Sequence, residues 1–331
     1  MSGTRILIIK TSSMGDIVHA LPLVSDLVQN RPGTRVEWVV EEGFAAVARL
    51  HSAVTRVIPV AQRRWRKRLL SPSTWAEMRN ARQQLHGVPY DHVIDCQGLL
   101  KSAWLTRWAV GPRTGPDANS AREPMAARFY DQKVAVPREL HAIERNRRLG
   151  AAALGYALDG PPRFSLRVPR VPPGLVPAGR PYAVLLTNAS RPTKLWPDEH
   201  WTQLEAWLAA AGMRSVLPWG SPVERTASQL RVRSMRDAFL LPRVSLDVAA
   251  SVLAGARVVI GLDTGLSHLA AAVGRPTVGL FCDYDPALVG LVGDGPCVSL
   301  GGVDVHPPVH QVIEAVRQVM SAAPVPVGSA S

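Results

Sequence analysis

The sequence has little of what metal centres, disulfide scaffolds and membrane-spanning proteins require. It has only three cysteines and no Cys-x-x-Cys pair. This excludes a cysteine metal cluster and a disulfide framework, and it fits a reducing compartment. The longest apolar stretch, 249–262, is interrupted by Arg257 and is too short to span a bilayer. Residues 1–10 lead directly into a predicted strand, so we expect no signal peptide and a cytoplasmic location.

Acidic residues are also scarce. The chain has 26 Asp and Glu against 38 Lys and Arg, a net charge of +12, and most of the excess lies in the first half. Such a charge attracts nucleic acid, phospholipid or phosphorylated glycolipid. No RRM, KH, helix-turn-helix or zinc-finger pattern is present, so a nucleic-acid-binding α/β protein is an alternative that rests on charge alone. The first strand–turn–helix, 5–22, lacks Gly-x-Gly-x-x-Gly, which argues against a dinucleotide oxidoreductase.

Strands and helices alternate along both halves of the chain. Its 331 residues suit two domains of roughly 150 residues each. Apolar runs such as RILII and RVVIGL, each followed by a turn and a helix, predict a parallel, doubly wound sheet in each half. We therefore predict an α/β fold of two Rossmann-like domains that face each other across a cleft. The predicted divisions are an N-terminal domain 1–160, a Pro-rich linker 161–181, a C-terminal domain 182–322 and a disordered tail 323–331.

In the first half, Asp16 follows Gly15 at the start of a predicted helix, 16–29. A carboxylate there commonly caps the helix. Because ligands of open α/β sheets bind at the carboxyl edge, the same residue could instead act as a general base. His19, one turn later, is expected to pack rather than to react. Both interpretations of Asp16 stay open on the local pattern.

A basic run, Gln62–Leu69, carries five cations in six residues around Trp65. A run of this kind is most often a solvated face. An aromatic side chain among cations also suits a nucleic-acid strand, an anionic sugar or a membrane interface, where Trp65 would rest against the lipid. Arg122, in the later segment SAREP, is a weaker candidate for anion binding.

The second half has three polar turns that follow predicted strands. Lys194 stands in a strand-to-helix loop, where it suits a diphosphate as a point charge, although an exposed loop lysine is an equal alternative. Glu224 follows the strand SVLPWG, where a carboxylate can accept from ribose hydroxyls. The turn DTGLSH, 263–268, opens a helix whose N-terminus can take a diphosphate without a metal. We expect no DxD motif of the kind that holds Mg²⁺ for metal-dependent sugar transfer, and the chain has no Walker lysine motif.

Seven segments in order carry a resemblance that extends over nearly the whole chain. They are KTSSMGD, IPVAQRRWRK, DCQGLLKSA, SAREP, KLWPDEHW, LPWGSP and DTGLSHLAAA. Together they closely resemble the lipopolysaccharide heptosyltransferase I family. The resemblance implies a GT-B fold and inverting transfer of L-glycero-D-manno-heptose from ADP-heptose to Kdo of Kdo2–lipid A. A second heptosyltransferase, acting on the first heptose, shares the donor half and remains an alternative; the basic run and SAREP favour Kdo as the acceptor.

The resemblance also implies residue roles. Asp16 matches the catalytic base. The residues matching the acceptor site are Arg63, Arg64, Lys67 and Arg122. The residues matching the donor site are Ser190, Lys194, Glu224, Asp263, Thr264, Gly265 and His268. No cofactor, metal or nucleic acid is implied; the partners are ADP-heptose, Kdo2–lipid A and the anionic cytoplasmic face of the inner membrane. Two places depart from the family pattern: Ala189 replaces a Thr, and 282–286 reads CDYDP in place of GPTDP.

Overall fold

The chain divides into two compact units. The computed structural model describes residues 3–323. The first unit spans Met1–Arg167 and the second Val168–Ser331. The boundary between them falls inside the Pro-rich segment 161–181. The predicted tail, 323–331, lies outside the described residues except for its first residue.

The first unit contains a six-stranded parallel sheet. Its strands are β1 Arg5–Ile9, β2 Arg35–Glu41, β3 Val54–Val60, β4 His92–Asp95, β5 Arg113–Pro116 and β6 Gln132–Val134. Its helices are α1 Met14–Val18, α2 Leu21–Asn30, α3 Ala45–Arg49, α4 Gln62–Trp65, α5 Pro72–His86, α6 Leu100–Thr106 and α7 Ala142–Leu154. The strand order β3-β2-β1-β4-β5-β6 is that of a Rossmann fold.

The second unit repeats this topology. Its strands are β7 Tyr182–Leu186, β8 Arg214–Leu217, β9 Ala238–Leu240, β10 Val258–Leu262, β11 Thr277–Phe281 and β12 Cys297–Gly301. Its helices are α8 Asp198–Ala210, α9 Pro222–Ser234, α10 Leu246–Gly255, α11 Gly265–Ala272, α12 Pro286–Val289 and α13 Val309–Ser321. The order β12-β11-β10-β7-β8-β9 is again that of a Rossmann fold, and every strand pair is parallel. The predicted pair of Rossmann-like domains is confirmed.

The central strands are buried on both faces. In β1 and β10 the apolar run continues without polar alternation, as parallel strands covered by helices require. Trp65 and Trp108 pack in the core of the first unit, and Trp196 and Trp201 in that of the second. Burial of each large apolar side chain contributes about 1.5–3 kcal/mol, so these side chains fix how the helices lie on the sheets.

The predicted helix 16–29 is two helices, α1 and α2. The reason is Pro22, which stands in the first turn of α2. Proline has no N–H to donate to the preceding turn, so one continuous helix through this position is disfavoured, whereas a new helix start accepts it. Among the helices of residues 3–323, none combines the length and apolar character needed to cross a membrane.

Candidate active site

Asp16 lies in the first turn of α1, directly after the carboxyl end of β1. Its Oδ2 accepts hydrogen bonds from the Ser13 backbone N–H at 2.8 Å and the Ser13 hydroxyl at 3.1 Å. Its Oδ1 lies 2.6 Å from a guanidinium nitrogen of Arg122 and 3.9 Å from Nζ of Lys10. The capping interpretation is therefore correct for one oxygen, while the other oxygen is held between two cations.

The two cations decide the ionisation of Asp16. Burial favours the neutral acid, but the charges of Lys10 and Arg122, with the Ser13 amide, outweigh burial and lower the pKa of Asp16 to about 2. Lys10 is itself buried, and its ammonium donates to the Cys96 carbonyl at 2.7 Å. Burial lowers the pKa of Lys10, and Asp16 opposes that shift. Lys10 was not predicted as a site residue. The one feature of the sequence that could have indicated it is its position directly after the buried apolar run RILII.

Gly98 lies where the segment that carries Arg122 packs on the turn after β4. Gly98 has φ +64°, in the left-handed region, and a Cβ there would lie 3.0 Å from Cγ of Pro116 and 3.4 Å from the amide nitrogen of Arg122. The Gly98 carbonyl accepts from Glu123 N–H at 3.0 Å. The segment after β5 therefore packs directly on the turn after β4, and a side chain at Gly98 would be strained by the positive φ and would crowd Pro116.

A concave space that is open to solvent adjoins the Asp16 carboxylate. Its lining includes Lys10, Arg122 and, from the start of α7, Arg145 and Asn146. Three cations and one carboxylate line this space, which gives it an excess of positive charge and favours an anionic ligand. No sequence prediction placed α7 at the site.

The basic run divides into buried and exposed members. Trp65 is buried against Trp108 and donates its indole N–H to Glu77 at 2.7 Å, so the interpretation that Trp65 rests on a membrane is wrong. Arg64 bridges Glu42 at 3.0 Å and Glu77 at 2.9 Å, and these hydrogen bonds raise the pKa of Arg64. The guanidinium of Arg63 lies over the Phe44 ring at 5.5 Å.

Helix α6 connects the basic run to the Asp16 turn. The amide of Gln62 donates to the Lys101 carbonyl at 2.9 Å, and the Lys101 ammonium donates to the Ser12 hydroxyl at 3.2 Å. Burial, followed by the charge of Arg63, lowers the pKa of Lys101. Lys101 is thus a further cation between the run and Asp16, although it was not predicted.

In the second unit, Lys194 and the turn after β10 come together. The Lys194 ammonium forms an ion pair with the Asp263 carboxylate and also donates to the Asp263 carbonyl at 3.0 Å. His268 Nε2 lies 3.2 Å from the other Asp263 oxygen. Burial favours neutral Asp263, but the hydrogen bonds from His268 and Lys194 outweigh it and lower the pKa of Asp263 to about 2. Thr264 is the N-cap of α11, and Gly265 is its first residue.

Ser190 and Glu224 lie beyond the carboxyl ends of two neighbouring strands, β7 and β8. Glu224 Oε2 accepts from the N–H groups of Gly220 at 2.7 Å and Ser221 at 3.1 Å, so this carboxylate caps α9. Ser190 is exposed in the loop after β7. Because β7 lies between β10 and β8, the carboxyl ends of the three strands carry Asp263, the Lys194 loop and Glu224 in that order.

The segment CDYDP contacts the Lys194 loop. Asp283 accepts from the Thr193 hydroxyl at 2.7 Å and lies 3.1 Å from the Arg191 guanidinium. Asp285 caps α12 by accepting from Ala287 N–H at 2.9 Å. These two carboxylates form an Asp-x-Asp, which the expectation of no DxD motif overlooked, and both bind protein groups here. Within residues 3–323, no cluster of three or more His, Cys, Asp or Glu side chains is arranged to hold a metal ion.

The fold and these strand-end sites define the chain as a GT-B glycosyltransferase. It superposes on the solved structure of Escherichia coli heptosyltransferase WaaC with ADP with a TM-score of 0.86 at 41% identity, over 95% of this chain and 99% of that one. The predicted α/β GT-B fold class is confirmed.

Sequence comparison refines the class. The model for glycosyltransferase family 9 (heptosyltransferase) matches residues 78–302, and the chain belongs to this family. It is 45% identical over 290 residues to lipopolysaccharide heptosyltransferase 1 of E. coli K12, covering 87% of this chain and 91% of that protein. Its identity to the same enzyme of Pseudomonas aeruginosa is 46% over 292 residues, with 87% and 81% covered. The match to E. coli lipopolysaccharide heptosyltransferase 2, 31% identical, covers only 29% of each chain.

Proposed function

We propose that this chain transfers L-glycero-D-manno-heptose from ADP-heptose to a Kdo hydroxyl of Kdo2–lipid A, with inversion at the anomeric carbon. The observation that carries the proposal is the Asp16 site. There a carboxylate with one oxygen tied to a helix start presents the other oxygen to a positively charged space. The similarity to lipopolysaccharide heptosyltransferase 1, nearly end to end, supports the donor and the acceptor.

The reaction assigns one task to each unit. In the first unit, Asp16 accepts the proton of the acceptor hydroxyl while the oxygen of that hydroxyl bonds to the anomeric carbon. The bond from that carbon to the β-phosphate oxygen breaks, and ADP leaves with the bonding electrons. In the second, Lys194 and the N-terminus of α11 offset the negative charge that develops on the departing diphosphate. Ser190, Glu224 and the turn 263–268 hold the rest of the donor.

Asp16 is a weak base while Arg122 and Lys10 are its partners, because both charges favour its ionised form. Kdo carries a carboxylate of its own. When that carboxylate binds Arg122, the two anions share the cation, and the proton affinity of Asp16 rises. The acceptor thus strengthens the base that deprotonates it. Proton transfer is needed late, once the attacking hydroxyl has become acidic by bonding to an oxocarbenium-like carbon.

The direct test is mass spectrometry of Kdo2–lipid A after incubation with ADP-heptose. We expect the acceptor to gain one heptosyl residue and ADP to accumulate in equal amount. An acceptor that already carries one heptose serves as the comparison. Transfer to that acceptor but not to Kdo2–lipid A would instead establish the second-heptose enzyme. Retention of nucleic acid without any turnover would favour the non-catalytic alternative.

The exposed members of the basic run are proposed to hold acceptor anions. We expect the double substitution Arg63→Ala/Lys67→Ala to raise the acceptor KM about tenfold, since contacts to carboxylate or phosphate are charge-assisted. The donor KM should not change. The wild-type acceptor KM should also rise with salt, because exposed charges are screened over about 8–10 Å, and the variant should lose much of this dependence.

Arg64→Ala is the matched control for that prediction. Its guanidinium binds Glu42 and Glu77 within the protein, so its removal should mainly lower the melting temperature. If wild type and the double variant had the same acceptor KM, the basic run would be a solvated face and not an acceptor-binding surface.

Catalysis is proposed to need no metal, because Lys194 and the helix N-terminus supply positive charge at the diphosphate. We expect kcat to be unchanged after dialysis against EDTA. Adding Mg²⁺ should then give no more than a small change. Activity that disappears with the chelator and returns with Mg²⁺ would contradict the metal-free mechanism and direct attention to Asp283 and Asp285.

A further inference from the structure

Next to the basic run, three large apolar side chains are exposed to solvent. Leu69 is 51% exposed, Leu70 is 100% exposed and Trp75 is 53% exposed. We call these three residues the apolar tip. The Trp75 indole N–H donates to the Leu69 carbonyl at 2.7 Å, which holds the ring beside the turn. Leu70 contributes nothing to the core, so its apolar surface has no role in folding that the structure reveals.

The apolar tip stands on a fixed base. Four residues before Leu69, Trp65 is buried and donates a hydrogen bond to Glu77 of α5, and Arg64 forms ion pairs with both Glu77 and Glu42. Thr74, which lies between Leu70 and Trp75 in the first turn of α5, is buried as well. The turn between α4 and α5 is therefore anchored at both ends, and its exposed apolar side chains are presented by a defined backbone.

Cations flank the apolar tip. Arg66, Lys67 and Arg68 precede it and are exposed. Within the part of the chain that the structure describes, none of the three forms an ion pair. No acidic residue occurs between 62 and 76, and the nearest one, Glu77, is bound by Arg64 and Trp65. Leucine, tryptophan and uncompensated cations together match the requirements of an anionic bilayer interface.

We propose that the apolar tip inserts into the interface of an anionic lipid bilayer, with Arg66, Lys67 and Arg68 against the headgroups. A nucleic acid would neutralise the cations and could stack on Trp75, but it would leave Leu69 and Leu70 in water. A lipid interface removes all three side chains from water. The inference deepens the proposed function, whose acceptor is a lipid, and rests on it for the biological setting only.

The test is sedimentation with phosphatidylcholine vesicles that do or do not contain phosphatidylglycerol, all without lipid A. Wild type should bind the anionic vesicles. The variant Leu69→Gln/Leu70→Gln/Trp75→Gln keeps every cation and should partition at least about tenfold more weakly. Arg66→Gln/Arg68→Gln should lose the preference for anionic lipid. Leu230→Ser, which removes an exposed leucine (59%) of α9, should bind like wild type. If the triple variant does not fold, Leu70→Gln alone tests the claim, because that side chain is fully exposed.

Turnover separates failure of this inference from failure of the proposed function. With a deacylated, water-soluble acceptor, the tip variant Leu69→Gln/Leu70→Gln/Trp75→Gln should have the same turnover rate as wild type. With the acceptor in anionic vesicles, its turnover rate should be lower. Absence of turnover with either acceptor contradicts the proposed function and leaves vesicle binding as the test of the tip. Equal vesicle binding by wild type and tip variant overturns insertion. Vesicle binding that depends on the cations alone would also overturn insertion. The same holds if the apolar tip is needed for binding to nucleic acid and the protein does not bind vesicles.

Discussion

Replacing Asp16 by Asn is expected to lower kcat by about 10²–10⁴-fold, the usual loss when a general base is removed. ADP affinity should stay near that of wild type, because the donor residues belong to the second unit. The amide oxygen of Asn can still accept from Ser13, so the start of α1 should persist. Steady-state kinetics at saturating substrates and calorimetric titration with ADP measure the two quantities.

Ser13→Ala is the matched control. It removes the hydroxyl that binds Asp16 Oδ2 but keeps the Ser13 backbone N–H and the carboxylate. We expect only a few-fold change in kcat and a small decrease in melting temperature. If Asp16→Asn retained kcat within a few-fold of wild type, Asp16 would be a helix cap and the base would have to be sought elsewhere.

Replacing Lys194 by Ala is expected to reduce kcat by about 10²–10³-fold and to raise the donor KM. A cation at the leaving diphosphate stabilises the transition state more than the ground state, because charge develops there as the bond breaks. Arg191→Ala is the control, since this cation of the same loop pairs with Asp283 instead of Asp263. A rise in donor KM without a fall in kcat would mean that Lys194 binds ground state and transition state equally.

The same substitution should change stability in a pH-dependent way. Lys194 helps to depress the pKa of Asp263 from its usual 3.8 to about 2 in the folded state. A depressed carboxyl pKa stabilises the fold above the unfolded-state value and loses that contribution as pH falls through the folded-state value. The stability difference between wild type and Lys194→Ala should therefore be full above about pH 4 and shrink toward pH 2. Denaturant unfolding across that range measures it.

Strands and helices could be predicted from the sequence where their apolar residues form a recognisable pattern. Strands β1 and β10 are continuous apolar runs and were predicted close to their observed bounds. The edge strands β6 and β9 have three residues each, too few to show a period. Helices α5 and α9 were missed because so few of their residues are buried: Thr74, Ala81 and Leu85 in α5, and Ser228 in α9. Without an apolar stripe, a helix leaves little trace in sequence.

The site was predictable where function follows from position on a sheet. Asp16, Lys194 and Asp263 were found because each follows the carboxyl end of a strand. The pairing of Lys194 with Asp263 was not predicted, since it joins residues 69 positions apart in the chain. Composition also could not separate the members of the basic run, in which Trp65 enters the core and Arg64 binds two glutamates.

The attachment of Asp16 to its own helix start has a consequence for the entropy of binding. Helix α1 has only five residues, a length that does not persist without support at its ends. The bonds from Ser13 that support it also select one rotamer of the Asp16 side chain. That rotamer freedom is lost when the protein folds and is not lost again when an acceptor arrives. The Asp16 carboxylate is therefore oriented before the acceptor binds, because the hydrogen bonds from Ser13 that start helix α1 also fix its rotamer.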